Sequence, residues 1–157
     1  MSRSSNQGES GGSRGRLWCR ARGTGLPGAI RNRGIFVWGN DMIIRSLDAV
    51  TKTTPVMEGA RGVTKQLPIG ARDATPGFSI RVFTIGVGGY TPYHSHPFEH
   101  LNYIIEGQGF VVDEAGNETP VRKGDFALIL PDEKHRYKNA SPAADLVLIC
   151  AVPKEYE

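Results

Sequence analysis

From residue 42 to the C-terminus the chain is a series of short apolar runs separated by turn residues. No window of eleven residues there carries a convincing helical period, apart from a weak stretch over 42–50. Twenty glycines and ten prolines punctuate the runs. The pattern predicts strands over 78–85, 101–106, 109–113, 126–130 and 146–152. Turns are expected at residues 86–89 and at the hairpin tip Glu114, Gly116, Asn117. Many short strands with close punctuation describe an all-β sandwich or barrel of one domain. No apolar run approaches the roughly 20 residues of a bilayer-spanning helix, so no membrane partner is expected. The two cysteines, Cys19 and Cys150, build neither a disulfide framework nor a cysteine-rich zinc site.

The net charge of +3 invites a nucleic-acid reading, but it is the sum of two unlike parts. Residues 1–41 hold seven arginines, nine glycines and only two acids, Glu9 and Asp41, a net of +5. Residues 42–157 carry a net of −2. The first segment has no hydrophobic period and is expected to be a disordered tail, with the folded domain over 42–157. Four roles compete for the tail. A secretory signal fails because the longest apolar run covers only 35–38. A mitochondrial transit peptide fits the arginine and serine content but not the glycines. An RNA-binding arm lacks aromatic interleaving. The remaining reading takes Met42 as the natural start and the tail as upstream translated sequence. The domain itself is then expected in the cytoplasm, with no nucleic-acid partner.

All four histidines fall in the domain: His94, His96, His100 and His135. A single His-x-His pair is common by chance. In a strand, however, residues two apart share a face, so His94 and His96 would project together. Residues 97–99 can turn the chain and set His100 at the head of the next strand. His135 follows the run at 126–130. Three ligands from one hairpin and one from a distant strand is a way for a β-barrel to build a metal site in its interior.

The spacing around these histidines resembles the two cupin motifs. Gly88 is followed by five residues, then by His94-Ser95-His96, three residues, His100, six residues and Gly107. The second motif reads Gly124, then Pro131, His135 and Asn139, with sixteen residues between Gly107 and Gly124. Two departures stand out. His100 takes the place of the usual glutamate ligand, and the second motif has one extra residue before Pro131 and one fewer before His135. Both are features of small single-domain cupins with four histidine ligands, typified by a manganese protein, whose ends are also similar to 62–77 and 148–153 here. The resemblance implies a single cupin barrel, a double-stranded β-helix or jelly roll, over 42–157. It makes His94, His96, His100 and His135 the ligands of one divalent transition metal. Manganese is favoured, with iron, nickel, copper or zinc as alternatives.

Four neutral imidazoles would leave the full charge on a divalent ion, giving a stronger Lewis acid than a site containing a glutamate. With two adjacent positions open on a redox-active metal, an oxygenase or peroxide-type oxidoreductase acting on a small organic molecule is expected. The competing class is a non-catalytic ligand-binding or sensing cupin. An isomerase or decarboxylase ranks lower, because such reactions want a positioned base and Glu99, in parity with Ser95, points away. A closed tetrahedral zinc would be structural.

Pocket walls follow from parity. Leu146, Leu148, Cys150 and Val152 share one face of a strand, and the resemblance turns that face inward, so Leu148 and Cys150 are candidate pocket residues. The alternative, and the commoner role for such a residue, is a plain buried core thiol at Cys150. Arg81 alternates with Ile80 and Val82, and is either an anion-steering pocket residue or a charge on the sheet surface. Small cupins usually pair through an edge strand, so a homodimer is expected.

Overall fold

The computed structural model describes residues 42–157 in full and, before them, the backbone of Ile35–Trp38 alone. Ten strands appear among these residues: β1 (Ile35–Trp38), β2 (Met42–Arg45), β3 (Arg61–Ile69), β4 (Phe78–Tyr90), β5 (His100–Glu106), β6 (Gln108–Val112), β7 (Glu118–Arg122), β8 (Phe126–Ile129), β9 (Arg136–Asn139) and β10 (Leu146–Pro153). All pairings are antiparallel. β1 and β2 form a ribbon, and the other eight strands form one curled sheet in the order β7-β6-β9-β4-β10-β5-β8, with β3 added to β4. The architecture is the expected all-β jelly-roll barrel. No helix among the described residues is long and apolar enough to cross a membrane. The disordered-tail reading of 1–41 lies outside the described residues, except at Ile35–Trp38, whose backbone pairs with β2.

The core is built where strands alternate. β10 buries Leu146, Leu148, Cys150 and Val152 in strict succession, against Ile85 of β4 and Ile104 of β5. Each large aliphatic side chain buried in this way contributes about 1.5–3 kcal/mol. At the far end of the barrel the Gln66 amide donates to the carbonyls of Leu47 (2.9 Å) and Val50 (2.7 Å), holding the N-terminal segment on β3.

Two expectations are corrected. The helical hint at 42–50 becomes strand β2 and a single 3-10 turn, Leu47–Ala49, because Met42, Ile43 and Ile44 lie exposed on a ribbon with no apolar face to pack against. The expected turn at 86–89 lies inside β4, which runs on to Tyr90 through a bulge opposite Arg61 and Val63. Glycine makes this possible: Gly88 has φ +67°, and a Cβ on Gly89 would stand 2.8 Å from the carbonyl oxygens of Arg61 and Gly86. The extra length matters, since it delivers the chain at Thr91 to the mouth of the barrel. β3, β7 and β9 carry no strong apolar alternation and were not expected from the sequence.

Candidate metal centre

The histidine segment is not the strand that parity assumed. Residues 91–99 form an extended loop between β4 and β5, and His94 makes only an isolated antiparallel bridge, to His135. What straightens the loop is its ladder with the segment leading into β9. The Thr91 N–H donates to Tyr137 O (2.9 Å), His94 and His135 exchange backbone bonds (3.1 and 2.9 Å), and the Asp132 N–H donates to His96 O (2.6 Å). The Tyr137 N–H in turn donates to Thr91 Oγ1 (2.9 Å). Distant parts of the sequence are thereby locked in register, so the ring positions are fixed by backbone.

The four imidazoles converge. Ring centroids lie 4.3 Å apart for His94–His96, 4.4 Å for His96–His100, 5.1 Å for His94–His135 and 5.2 Å for His100–His135. The ligating atoms of His94, His96 and His135 all fall within 4.8 Å of one another, a three-histidine cluster able to hold a metal ion. His100 stands beside this cluster.

The donor set fits a metal. His94 and His135 each donate Nδ1–H to a carbonyl two residues earlier, of Pro92 and Glu133, at 2.8 Å. A carbonyl only accepts, so these bonds fix the tautomer and leave Nε2 with a free lone pair. The Nε2 atoms of His96 and His100 are buried without any hydrogen-bond partner. An unpartnered buried nitrogen is costly unless something binds it. Burial, reinforced by the neighbouring rings, holds His96 at a pKa of about 4 and His100 at about 3, and burial lowers His135 as well. These three rings are therefore neutral near pH 7, the form that ligates metal. Phe98 stacks on His96 (4.8 Å, 21°) and Tyr156 on Phe98 (3.9 Å, 16°), sealing the site's outer edge.

The rings open onto a cavity of about 110 Å³. Arg81, Leu148 and Cys150 line it, and so do Asn102 and Tyr137, which the sequence reading did not single out. Period two was the available signal for both: Asn102 lies two residues past His100 on β5, and Tyr137 two past His135 on β9. Arg81 is 9% exposed, so the sheet-surface reading of this residue is overturned. Its alternation places it inward on β4, where the guanidinium sits 5.2 Å over the Phe83 ring. Its Nη1 donates to Tyr156 O and its Nη2 to Cys150 Sγ, both at 3.1 Å. Burial raises the Cys150 pKa, with Arg81 opposing, and keeps the thiol protonated. Among the described residues no carboxylate lines the cavity.

Comparison with known proteins agrees with this fold. Residues 81–152 match the model of the Cupin domain family. The chain is 32% identical over 96 residues to an L-ectoine synthase of Mycolicibacterium gilvum, covering 60% of this chain and 72% of that protein. The chain belongs to the cupin superfamily. Among solved structures, the polyketide cyclase RemF of Streptomyces resistomycificus is similar at 25% identity with a TM-score of 0.67, covering 71% of this chain and 79% of the other. A Thermotoga maritima protein described as a predicted oxalate decarboxylase has the same fold at 20% identity and a TM-score of 0.61, covering 69% and 96%.

Proposed function

We propose that this chain is a mononuclear metal enzyme that activates a carbonyl-bearing small molecule, with His94, His96, His100 and His135 as ligands. One observation carries the reading: buried, unpartnered Nε2 atoms and tautomer-fixed imidazoles face one cavity in the barrel. Manganese is the proposed ion. A divalent metal held by neutral imidazoles supplies strong Lewis acidity toward a carbonyl or enolate oxygen. The protein's part is positional. The ladder between loop 91–96 and the segment entering β9 fixes the rings, Leu148 and Phe83 supply apolar wall, and Tyr137 and Asn102 turn polar groups toward whatever binds there. The description of RemF as a polyketide cyclase supports a cyclisation without net redox change as the reaction class, and the name of the ectoine synthase is in keeping with a bond-forming reaction.

A second reading, oxygenase-type oxidation, draws support from the lack of any carboxylate in the cavity wall, which leaves no conventional base for proton transfer. Product mass separates the two. Purified protein is loaded with manganese or with zinc and given poly-β-ketone and β-oxo acid substrates, with and without oxygen. Cyclisation yields a product of unchanged mass, or lighter by one water, with either metal and without oxygen. Oxygenation yields a product heavier by oxygen, with manganese only and in air. Binding without turnover would mark a sensing cupin. A protein that retains no metal, or that holds zinc with no exchangeable ligand, sinks both enzymatic readings.

A further inference from the structure

Arg81 is a buried charge with no carboxylate against it. Among the described residues the ion pairs are Arg45–Asp73, Arg72–Asp73 and Lys138–Glu118, and none involves Arg81. The contacts it does make are neutral, the Tyr156 carbonyl, the protonated Cys150 thiol and the face of the Phe83 ring, and its Nε–H has no hydrogen-bond partner. A buried cation left in this state is strongly unfavourable unless an anion joins it. Asn102, only 4% exposed, lines the same cavity with neither its Oδ1 nor its Nδ2 satisfied. A buried amide that uses none of its donors or acceptors is equally unusual.

We infer that Arg81 and Asn102 form an organic-acid subsite beside the histidines, and that the substrate enters carboxylate first, with a carbonyl next to that carboxylate. Arg81 neutralises the carboxylate. Asn102 offers a donor and an acceptor to the adjoining oxygen function, and the histidine cluster lies within the same cavity. The inference rests on the proposed metal site only for the carbonyl, since Arg81 and Asn102 are present without any ion. Size agrees with a small acid group: about 110 Å³ is less than the roughly 150 Å³ of a protein cavity that takes up benzene, so a handful of heavy atoms fits inside. The rest of a longer substrate would lie toward the mouth.

The test uses pyruvate and its neutral isostere pyruvamide, titrated by calorimetry into the manganese-loaded and the metal-free protein. Pyruvate binds at least roughly tenfold more tightly than pyruvamide in both forms, because only the acid meets the guanidinium. In Arg81→Gln the preference disappears while pyruvamide affinity is kept. Arg81 also ties down the chain at Tyr156, so Asn102→Leu is the second variant, preserving size and removing only the amide. It weakens both ligands by roughly fivefold or more without altering metal content. Equal binding of the two ligands by the native protein overturns the inference. So does unchanged affinity in Asn102→Leu, which would mean that the amide merely holds buried water. If no metal is taken up, the metal reading fails by itself, and the metal-free titration still decides the subsite.

Discussion

His94 and His135 hold each other in place through their main chains: each donates its backbone N–H to the other's carbonyl, at 3.1 and 2.9 Å, while their side-chain Nδ1–H groups are spent on the carbonyls of Pro92 and Glu133. The positions of these two rings are thus encoded in backbone pairing between the loop after β4 and the entry to β9. Main-chain groups alone orient these two rings.

That preorganisation has a cost in the metal-free protein, which sets up the first prediction. His100 is 6% exposed with an unpartnered Nε2. His100→Leu has similar volume and removes the orphan nitrogen, so the metal-free variant is more stable than the metal-free native protein by about 1–2 kcal/mol. Its metal-dependent stabilisation shrinks sharply. A native site at a metal concentration of 1,000 Kd gains about 4 kcal/mol by linkage. Urea melts with and without manganese, on both proteins, measure the two effects together. A variant less stable in both states would mean the imidazole is a packing element.

Proton linkage gives the second prediction. His96 and His100 titrate at about 4 and 3 in the folded protein and near 6.5 when unfolded. The unfolded chain therefore takes up protons first as pH falls, and the metal-free fold loses stability from about pH 6.5 down to about pH 3. Above pH 6.5 both states hold these rings neutral and the contribution is flat. Denaturation midpoints over this range record the slope, and His100→Leu reduces it. A midpoint independent of pH between 6.5 and 4 would contradict the burial of these rings.

The part of the site that could be read from sequence was the part with local spacing. His94, His96 and His100 lie close in the chain, and Leu148 and Cys150 sit on a strand whose alternation is complete. Arg81 stayed ambiguous because a charge at an inward position contradicts the usual meaning of alternation, and only the barrel's closure shows that this position faces a cavity. β9 was not legible for a different reason. Its residues Arg136, Tyr137, Lys138 and Asn139 look like solvent-exposed sequence, yet Tyr137 and Asn139 are buried and hydrogen-bonded into the ladder. The bulge in β4 was hidden as well, since glycines that end strands and glycines that let a strand bend are the same residue.

The third prediction concerns the ion pair between Arg45 and Asp73. Arg45 and Asp73 make a two-pronged pair at 2.8 and 3.0 Å with side chains 11% and 7% exposed, and the Gly70 N–H donates to the same carboxylate. Arg45 hydrogen bonding holds Asp73 at a pKa of about 2. Its folded value is depressed, so its contribution is present above about pH 4 and is lost as pH falls toward 2. Asp73→Ala leaves the guanidinium half-buried and unpaired, and costs about 2 kcal/mol at pH 7 after allowance for solvent at this edge. Thermal melts at pH 7 and pH 2.5 check this: the difference between native and variant narrows at the lower pH.

The outer face of β5 and β8 supplies the last prediction. Leu101 pairs with Leu128 and Tyr103 with Phe126 across the two strands, the Tyr103 and Phe126 rings lying 4.7 Å apart. Phe126 is 81% exposed, Leu128 56%, Leu130 51% and Leu101 47%, and among the described residues β8 ends the sheet with an unpaired edge. A contiguous apolar face on an open edge strand is larger than the scattered apolar residues of an ordinary protein exterior, which makes it a candidate association surface. We propose that the expected homodimer forms here, with the outer faces of β5 and β8 of two copies packed against each other across the β8 edge. Phe126→Glu places a charge at the centre of that face and weakens the dimer by about 2 kcal/mol or more, with no change in the far-ultraviolet circular dichroism of the barrel. Light scattering after size exclusion measures the mass. A native protein that runs as a monomer at high micromolar concentration, or a Phe126→Glu variant that remains dimeric, would exclude β8 as the interface.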